Sequence, residues 1–441
     1  MLRPLIFRTL VTNFALAALG LLNSVFLSRW LGPTGRGEVA AAMLWPTLLV
    51  YLSSLGLISA TLYFAALPGS KPTPIFVNAT VLSFAQSVAA FIVGFAALPL
   101  LLHSQTASVV SVSRLYLLVI PLSLVTQYGV SILQGRLRIS AFNWLRTVLP
   151  AGYLIGTIIL MITGRLGLLN IIVLHLCLNV VIVLATLVVL ARSGIRLAFG
   201  FDSLLARQML KYGAKVHVGN VSGLANMSLD QVLMAALLPS NYLGLYVVAV
   251  SAASVSQVFS QAVQMVSTPS IAQRESPIER AAVLQAVFHR YWLLSFLVTL
   301  TIGVLLPVAI PAVFGANFRE AVWPAEMLLL GAFFIGAKDV LSGGAQALGN
   351  PWLGSKAHLF ALVLTVVLLF LLLPAMGIMG AAIATAAASL SQLTVVAHGL
   401  RKRYDISLVE LFRFKSKDLG SAVNLFGSIK GPSDQLAPGE K

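Results

Sequence analysis

"RWLGPTGRGEVAAA" (residues 29–42) sets two arginines, three glycines and a proline between two long apolar runs. A looser copy, "ALLPSNYLGLYVVAV", returns at residues 236–250. Leu31 aligns with Leu238, Gly37 with Gly244, Val39 with Tyr246 and Ala42 with Ala249, all at an offset of 207. The same offset carries the preceding helix, placing Arg8 on Lys215, Asn13 on Asn220 and Asn23 on Asp230. Chance likeness between apolar helices matches Leu and Ala easily. It does not so readily match a basic residue, two amide or acid positions and a glycine in order. The chain therefore reads as an internal repeat, and the quoted stretch as the hairpin joining its first two spans, with Gly and Pro making the turn.

Composition says what kind of spans these are. The chain is 59% hydrophobic and 10% charged over 441 residues, with mean hydropathy +0.94. A soluble globular protein carries about a quarter charged residues, so too few charges remain here to cover a wet surface. Nearly uncharged runs of span length recur, enough for a helix to cross about 30 Å of hydrocarbon. They are Leu- and Ala-rich and show no period-two alternation, which argues against strands. The expected fold is an all-α integral membrane protein of about twelve helices, arranged as two six-helix bundles around a central cavity. With six spans per half, the copies share one orientation and form a parallel repeat.

The runs and their breakers place helices near residues 7–30, 37–67, 76–102, 110–134, 141–163 and 167–191. A basic connector at 192–208 separates these from helices near 209–238, 243–267, 285–314, 321–348, 355–374 and 377–400. The expected domains are thus an N-terminal bundle (1–191), the connector, a C-terminal bundle (209–400) and a basic tail (401–441) that is partly disordered. The N-terminal stretch resembles a signal peptide, with Arg3 and Arg8 before an apolar run. It lacks an A-x-A site where that run ends and reads as a retained first span.

Charge then orients the chain. Connections of one parity hold most of the cations, including Arg136, Arg138, Arg192, Arg207, Lys211 and the cluster Arg401, Lys402 and Arg403. The positive-inside rule puts both termini in the cytoplasm. The net charge of +16 reads as topology and contact with anionic lipid headgroups, with no nucleic-acid partner. Cys177 is the sole cysteine, which excludes an intrachain disulfide; it reads as a small buried core residue. No P-loop, HExxH or GxSxG motif appears, which excludes a nucleotide-driven pump on one chain.

Polar residues inside spans are costly, about 2.5–3.5 kcal/mol for an acid on insertion scales, and so mark bundle interiors or wet cavities. Past the first residues of each span, the acids there are Asp230, Glu326 and Asp339. On the seventh helix Lys211, Lys215, Ser222, Asn226 and Asp230 fall within about 100° of one another, a polar stripe across the membrane. Lys215 and Asp230 lie about 22 Å apart along that helix, too far to pair. Lys338 and Asp339 point about 100° apart, so each is expected to need another partner, while a structural pair of Lys338 with Asp339 or Asp230 stays open beside a functional role. Arg29 and Arg114 sit at outer helix ends and Arg146 and Arg290 near inner ones, where a lone arginine snorkels to headgroups and the four as a set could make a cationic path for a phosphate.

The stretches "FLSRWLGPTGRGEVAAA" (26–42), "SLDQVLMAALLPSNYLGLYVVA" (228–249), "LPVAIPAVFGANFREAVWPAEMLLLGA" (306–332) and "LSGGAQALGNPW" (341–352) carry a family likeness. The chain resembles the O-antigen and polysaccharide flippases (Wzx-type) of the multidrug/oligosaccharidyl-lipid/polysaccharide exporter superfamily, from about residue 8 to 400. The resemblance implies two bundles forming a V, and alternating access that moves a polyprenyl-pyrophosphate-linked oligosaccharide to the outer leaflet of the bacterial inner membrane. It implies no enzymatic activity and no cofactor. Partners would be the lipid-linked oligosaccharide, membrane lipids, a polysaccharide polymerase and other glycan-assembly enzymes.

Cavity cations in this family are implied to hold the pyrophosphate. Arg29, Arg36 and Lys215 fit, and Arg114 is added on position. Asp230, Asn226, Asn23, Lys338 and Asp339 are candidates for cavity polarity or coupling. One departure matters: Asn23 stands where the second half has Asp230, so the first half offers no acid to a paired proton or sodium site, although a gradient stays open as the driving force. The competing readings are a cation-coupled small-molecule antiporter, a scaffold recruiting glycan enzymes through its tail, and a membrane glycosyltransferase.

Overall fold

The computed structural model describes residues 2–195, 200–272, 274, 276–350, 352–404, 406–407 and 411–412. Residues 196–199 of the expected connector and 413–441 of the expected tail lie outside them. The described residues are helical throughout, without strand. Thirteen α-helices follow in order. They are α1 (Leu2–Ser53), α2 (Leu57–Ala66), α3 (Pro72–Leu101), α4 (Ala107–Tyr116), α5 (Val119–Gly135), α6 (Ile139–Ile162) and α7 (Leu168–Arg192). Then come α8 (Ser203–Leu237), α9 (Ser240–Ala253), α10 (Val255–Ala272), α11 (Pro277–Phe314), α12 (Val322–Ala347) and α13 (Trp352–Tyr404), with a 3₁₀ turn at Ala316–Ala321.

Among the described residues, eight helices are long and apolar enough to cross a membrane, or nine if the bent pair Ser240–Ala253 and Val255–Gln264 is one span. Their outer faces are apolar, as at Phe84, Ile92, Val93 and Leu100 of α3. The chain is a multi-pass membrane protein. Two of these helices, of 43 and 53 residues, far exceed the roughly 20 residues of a single crossing. Each contains one glycine with non-helical backbone, Gly32 (φ 66°) in α1 and Gly377 (φ 55°) in α13. The hairpin expected over residues 31–36 is thus sharper than the sequence suggested. A single positive-φ glycine breaks the helix, and Pro33 restarts it at the position where a missing N–H costs nothing.

Other expected spans are broken rather than straight. Leu55 (φ 48°) and Gly56 (φ 73°) separate α1 from α2. The freed Ser54 carbonyl accepts from Leu57 N and from Gln86 Nε2, and Tyr128 donates to Gln86 Oε1 at 2.8 Å. A buried polar clamp therefore fixes this bend. The seventh span also begins earlier than expected, at Ser203. Asp202 caps it, its Oδ1 accepting from Leu204 N and Leu205 N, both at 3.0 Å. A cap of this kind is worth about 1 kcal/mol.

The chain packs as two compact units. One comprises Met1–Ser251, Val308–Pro324 and Leu369–Ala381; the other comprises Ala252–Pro307, Ala325–Leu368 and Ala382–Lys441. The first unit takes in α8 and most of α9 because α8 is tied to the first half along its length. Asn78 and the Asp202 backbone exchange two hydrogen bonds, of 3.0 and 2.9 Å. Tyr63 stacks on Tyr212 with ring centroids 4.4 Å apart. A Cβ on Gly213 would lie 2.7 Å from the Leu55 carbonyl oxygen, and one on Gly56 2.7 Å from the Gly213 carbonyl carbon. Small residues permit this close approach of backbones.

At the other end of α8 the repeat itself makes contact. A Cβ on Gly37 would lie 2.6 Å from the Ser240 carbonyl carbon, and one on Gly244 2.8 Å from that of Pro33. Pro33 and Ser240, like Gly37 and Gly244, are 207 positions apart. The contact is reciprocal, as two copies of one surface meeting across a pseudo-two-fold would be. The glycines of the opening stretch serve this approach as well as the turn.

Candidate functional site

Within the first unit α1, α2 and α4–α7 enclose a cavity of about 640 Å³. α1 contributes Thr47 and Tyr51, and α2 contributes Ile58. Tyr116 comes from α4, Ser123, Gln127, Ser131 and Gln134 from α5, Arg146 from α6, and His175 and Asn179 from α7. The charged residue of this lining is Arg146, and no acid lines it among the described residues. Phe142, one turn earlier, lies under the guanidinium with 5.0 Å to its ring centroid, a cation–π contact that holds the side chain over the cavity. Pro150 also lines the cavity. Lacking an N–H, it leaves the Arg146 carbonyl without its helical donor.

His175 is held by Tyr116, whose hydroxyl is 2.9 Å from Nδ1, and by Asn179, whose Nδ2 is 3.0 Å from the same atom. Ser123 in turn donates to Asn179 Oδ1 at 3.4 Å. Tyr116, Ser123, His175 and Asn179 thus add a connected set of polar groups to a lining that also holds apolar residues such as Met43, Val50 and Leu149. A second cavity, of about 220 Å³, shares Tyr51, Ile58 and Gln127 with the first and adds His217, Val221 and Leu224 of α8. The two together extend from the first half to the seventh span.

The predicted site residues are dispersed. Arg29 donates from Nε to the Val313 carbonyl at 2.7 Å, and from Nη2 to the Ala312 carbonyl, at the C-terminus of α11. Arg114 donates to the Phe95 carbonyl at 3.2 Å and lies 4.2 Å over the Phe95 ring. Arg36 is half-buried beside Tyr153, which stacks edge-on against His175 with centroids 5.0 Å apart. Lys215 is exposed and lines neither cavity. Asn23 is buried beside Tyr153. Asp230 is buried and accepts from the Tyr246 hydroxyl at 2.5 Å. The Asn226 side chain lies outside the described residues.

Three readings need correction. Lys338 and Asp339, expected to need separate partners, bond each other at 2.5 Å, because the four-carbon lysine stem swings back across the angle between their Cα–Cβ bonds. Cys177, expected in the core, is exposed. An apolar run does not distinguish packing against protein from packing against lipid tails, which are as apolar as Leu. Arg146, expected to snorkel, faces a cavity. Its signal in the sequence was its place seven residues into a span, deeper than a helix end.

A sequence model of the family described as polysaccharide biosynthesis protein matches residues 26–323. The chain belongs to that family. The chain is 27% identical over 200 residues to the probable low-salt glycan biosynthesis flippase Agl15 of Haloferax volcanii, covering 44% of this chain and 42% of that one. The aligned region thus spans less than half of either protein. The fold is similar to that of a lipid II flippase MurJ in an inward closed conformation, with TM-score 0.73, 14% identity, and 95% and 96% of the two chains covered. It is also similar to an inward-facing multidrug resistance MATE family transporter of the MOP superfamily, with TM-score 0.65, 15% identity, and 88% and 94% covered. At these identities the likeness is one of fold.

Proposed function

We propose that this protein flips a polyprenyl-pyrophosphate-linked oligosaccharide from the inner to the outer leaflet of the plasma membrane by alternating access, with both termini cytoplasmic. The observation that carries the reading is the 640 Å³ cavity whose charged lining residue is Arg146 among amides and hydroxyls. A phosphate 4 Å from a guanidinium gains about 4 kcal/mol at an effective dielectric of 20, and an arginine fork matches phosphate oxygens in pairs. Gln127, Gln134, Asn179, Ser123 and Ser131 present the donors and acceptors that sugar hydroxyls need. The family's name and the Haloferax relative's function in glycan biosynthesis support this cargo.

The likeness to multidrug transporters supports a second reading, a cation-coupled antiporter. An organic cation needs an acid in reach. Asp230 and Asp339 are held by Tyr246 and Lys338, and the first cavity has no acid among its described lining. The test is transport in cells lacking their own flippase. Wild type restores surface glycan and Arg146→Ala at matched expression does not, while Lys215→Ala tests the cation expected from sequence. Restored glycan with Arg146→Ala removes the cavity arginine from the mechanism. Dye efflux that depends on Asp230 or Asp339, with no glycan restored, favours the antiporter.

A further inference from the structure

The ties at the 235–244 end of α8 and α9 form a clasp. Gly37 meets Gly244 and Ser240. Gln105 Nε2 donates to the carbonyls of Ala235 and Leu238 at 2.8 and 2.9 Å, Ser240 donates to Gln105 Oε1 at 2.6 Å, and Ser104 donates to the Ala236 carbonyl. Arg29, next to the Gly32 break, adds two hydrogen bonds to the last carbonyls of α11. Every one of these ties joins the first half of the chain to the second. In the orientation proposed above they close the outer end of the first unit. The second cavity, at His217, Val221 and Leu224, lies on α8 between this clasp and the Gly56–Gly213 contact.

Most of the clasp is neutral and indifferent to an anion. Arg29 is its charged member, and it is exposed. It satisfies α11 carbonyls that have no helical donor of their own and sits at the negative end of the helix dipole. A pyrophosphate is a stronger partner for a guanidinium than two neutral carbonyls, because it offers the same two-pronged acceptance and adds full negative charge where the carbonyls carry only dipoles. We propose that Arg29 is a cargo-released latch: it holds the outer clasp shut on α11 until an anionic headgroup draws its guanidinium away. Opening would then require cargo, so the empty carrier stays sealed. The inference rests on the pyrophosphate cargo of the proposed function.

The test uses the full chain in a Cys177→Ser background, which removes the sole cysteine, with Ser59→Cys as a reporter in the second cavity. Labelling by a membrane-impermeant maleimide from the outer face is followed with and without farnesyl pyrophosphate. Its binding is measured separately by thermal shift on wild type and on Arg146→Ala. Without ligand, Arg29→Gln is expected to label faster than wild type by about 5- to 150-fold, the usual span of coupling between two sites. Ligand should speed the wild type and leave Arg29→Gln unchanged. Arg29→Lys, which keeps the charge and loses the fork, serves if the glutamine variant fails to fold, and should fall between.

Farnesyl pyrophosphate that binds while labelling of wild type does not change, or that speeds Arg29→Gln as fully as wild type, overturns the latch and leaves the cargo reading standing. No binding to wild type overturns the cargo reading and the latch with it.

Discussion

Adding one methyl group to Gly37 tests the closest approach in the first unit. The new Cβ would lie 2.6 Å from the Ser240 carbonyl carbon and 2.9 Å from Gly244 N, where ordinary contact begins at 3.4 Å. Both atoms are backbone, so no rotamer relieves the overlap. The hairpin and the start of α9 must part by at least about 0.8 Å, an overpacking that costs about 1–3 kcal/mol. Gly20→Ala on the same α1 supplies the control, because nothing lies within 4 Å of its Cβ and the exchange gains up to about 1 kcal/mol of helix propensity. Thermal unfolding in detergent should therefore separate the two. Gly37→Ala is expected to lower the melting temperature, by about 2–4 °C per kcal/mol, and Gly20→Ala to hold or raise it. Gly244→Ala should match Gly37→Ala, and the double variant should cost less than the sum, since both open one contact. Equal stability of Gly37→Ala and Gly20→Ala, or full additivity of the pair, refutes the reciprocal contact.

Further outcomes follow from the buried polar pairs. Tyr246→Phe removes the hydroxyl that donates to Asp230 and should cost about 1–3 kcal/mol; Asp230→Asn combined with it should recover part of that loss in the same unfolding assay. Lys338→Met strips the buried partner from Asp339, whose own side chain is 31% exposed, and is expected to cost about 1–3 kcal/mol. Lys338→Met with Asp339→Leu should be markedly more stable than Lys338→Met alone, and a double variant no better than the single would place the cost elsewhere.

The spans and the repeat were legible because both write themselves into local sequence. Apolar length and punctuation by Gly and Pro mark a crossing, and an offset of 207 needs no coordinates to be seen. What each arginine touches is not local. Arg29 binds carbonyls at 312 and 313 and Arg114 binds one at 95, and a backbone acceptor carries no residue signature. Arg146 and Cys177 both sit in apolar spans. Whether a helix face meets a cavity, a neighbour or lipid is decided by packing, which hydropathy does not record. Two neighbours 100° apart seemed unable to meet because the angle was judged at Cβ, whereas a long flexible stem decides at its tip.

The Gly37–Gly244 contact also bears on how freely each half can change. Were the halves separate, identical chains, this surface would pair with itself, and any single substitution would strike the junction twice. Joined in one polypeptide, each side changes alone. Proline already stands at 33 where the second half has Ser240, and Val39 occupies the position that Tyr246 holds in the second half, where the tyrosine supplies Asp230 with a hydroxyl donor. The glycines meet at a seam that is symmetric in backbone and free to become asymmetric in side chain. That freedom lets the two halves diverge without breaking the junction they share.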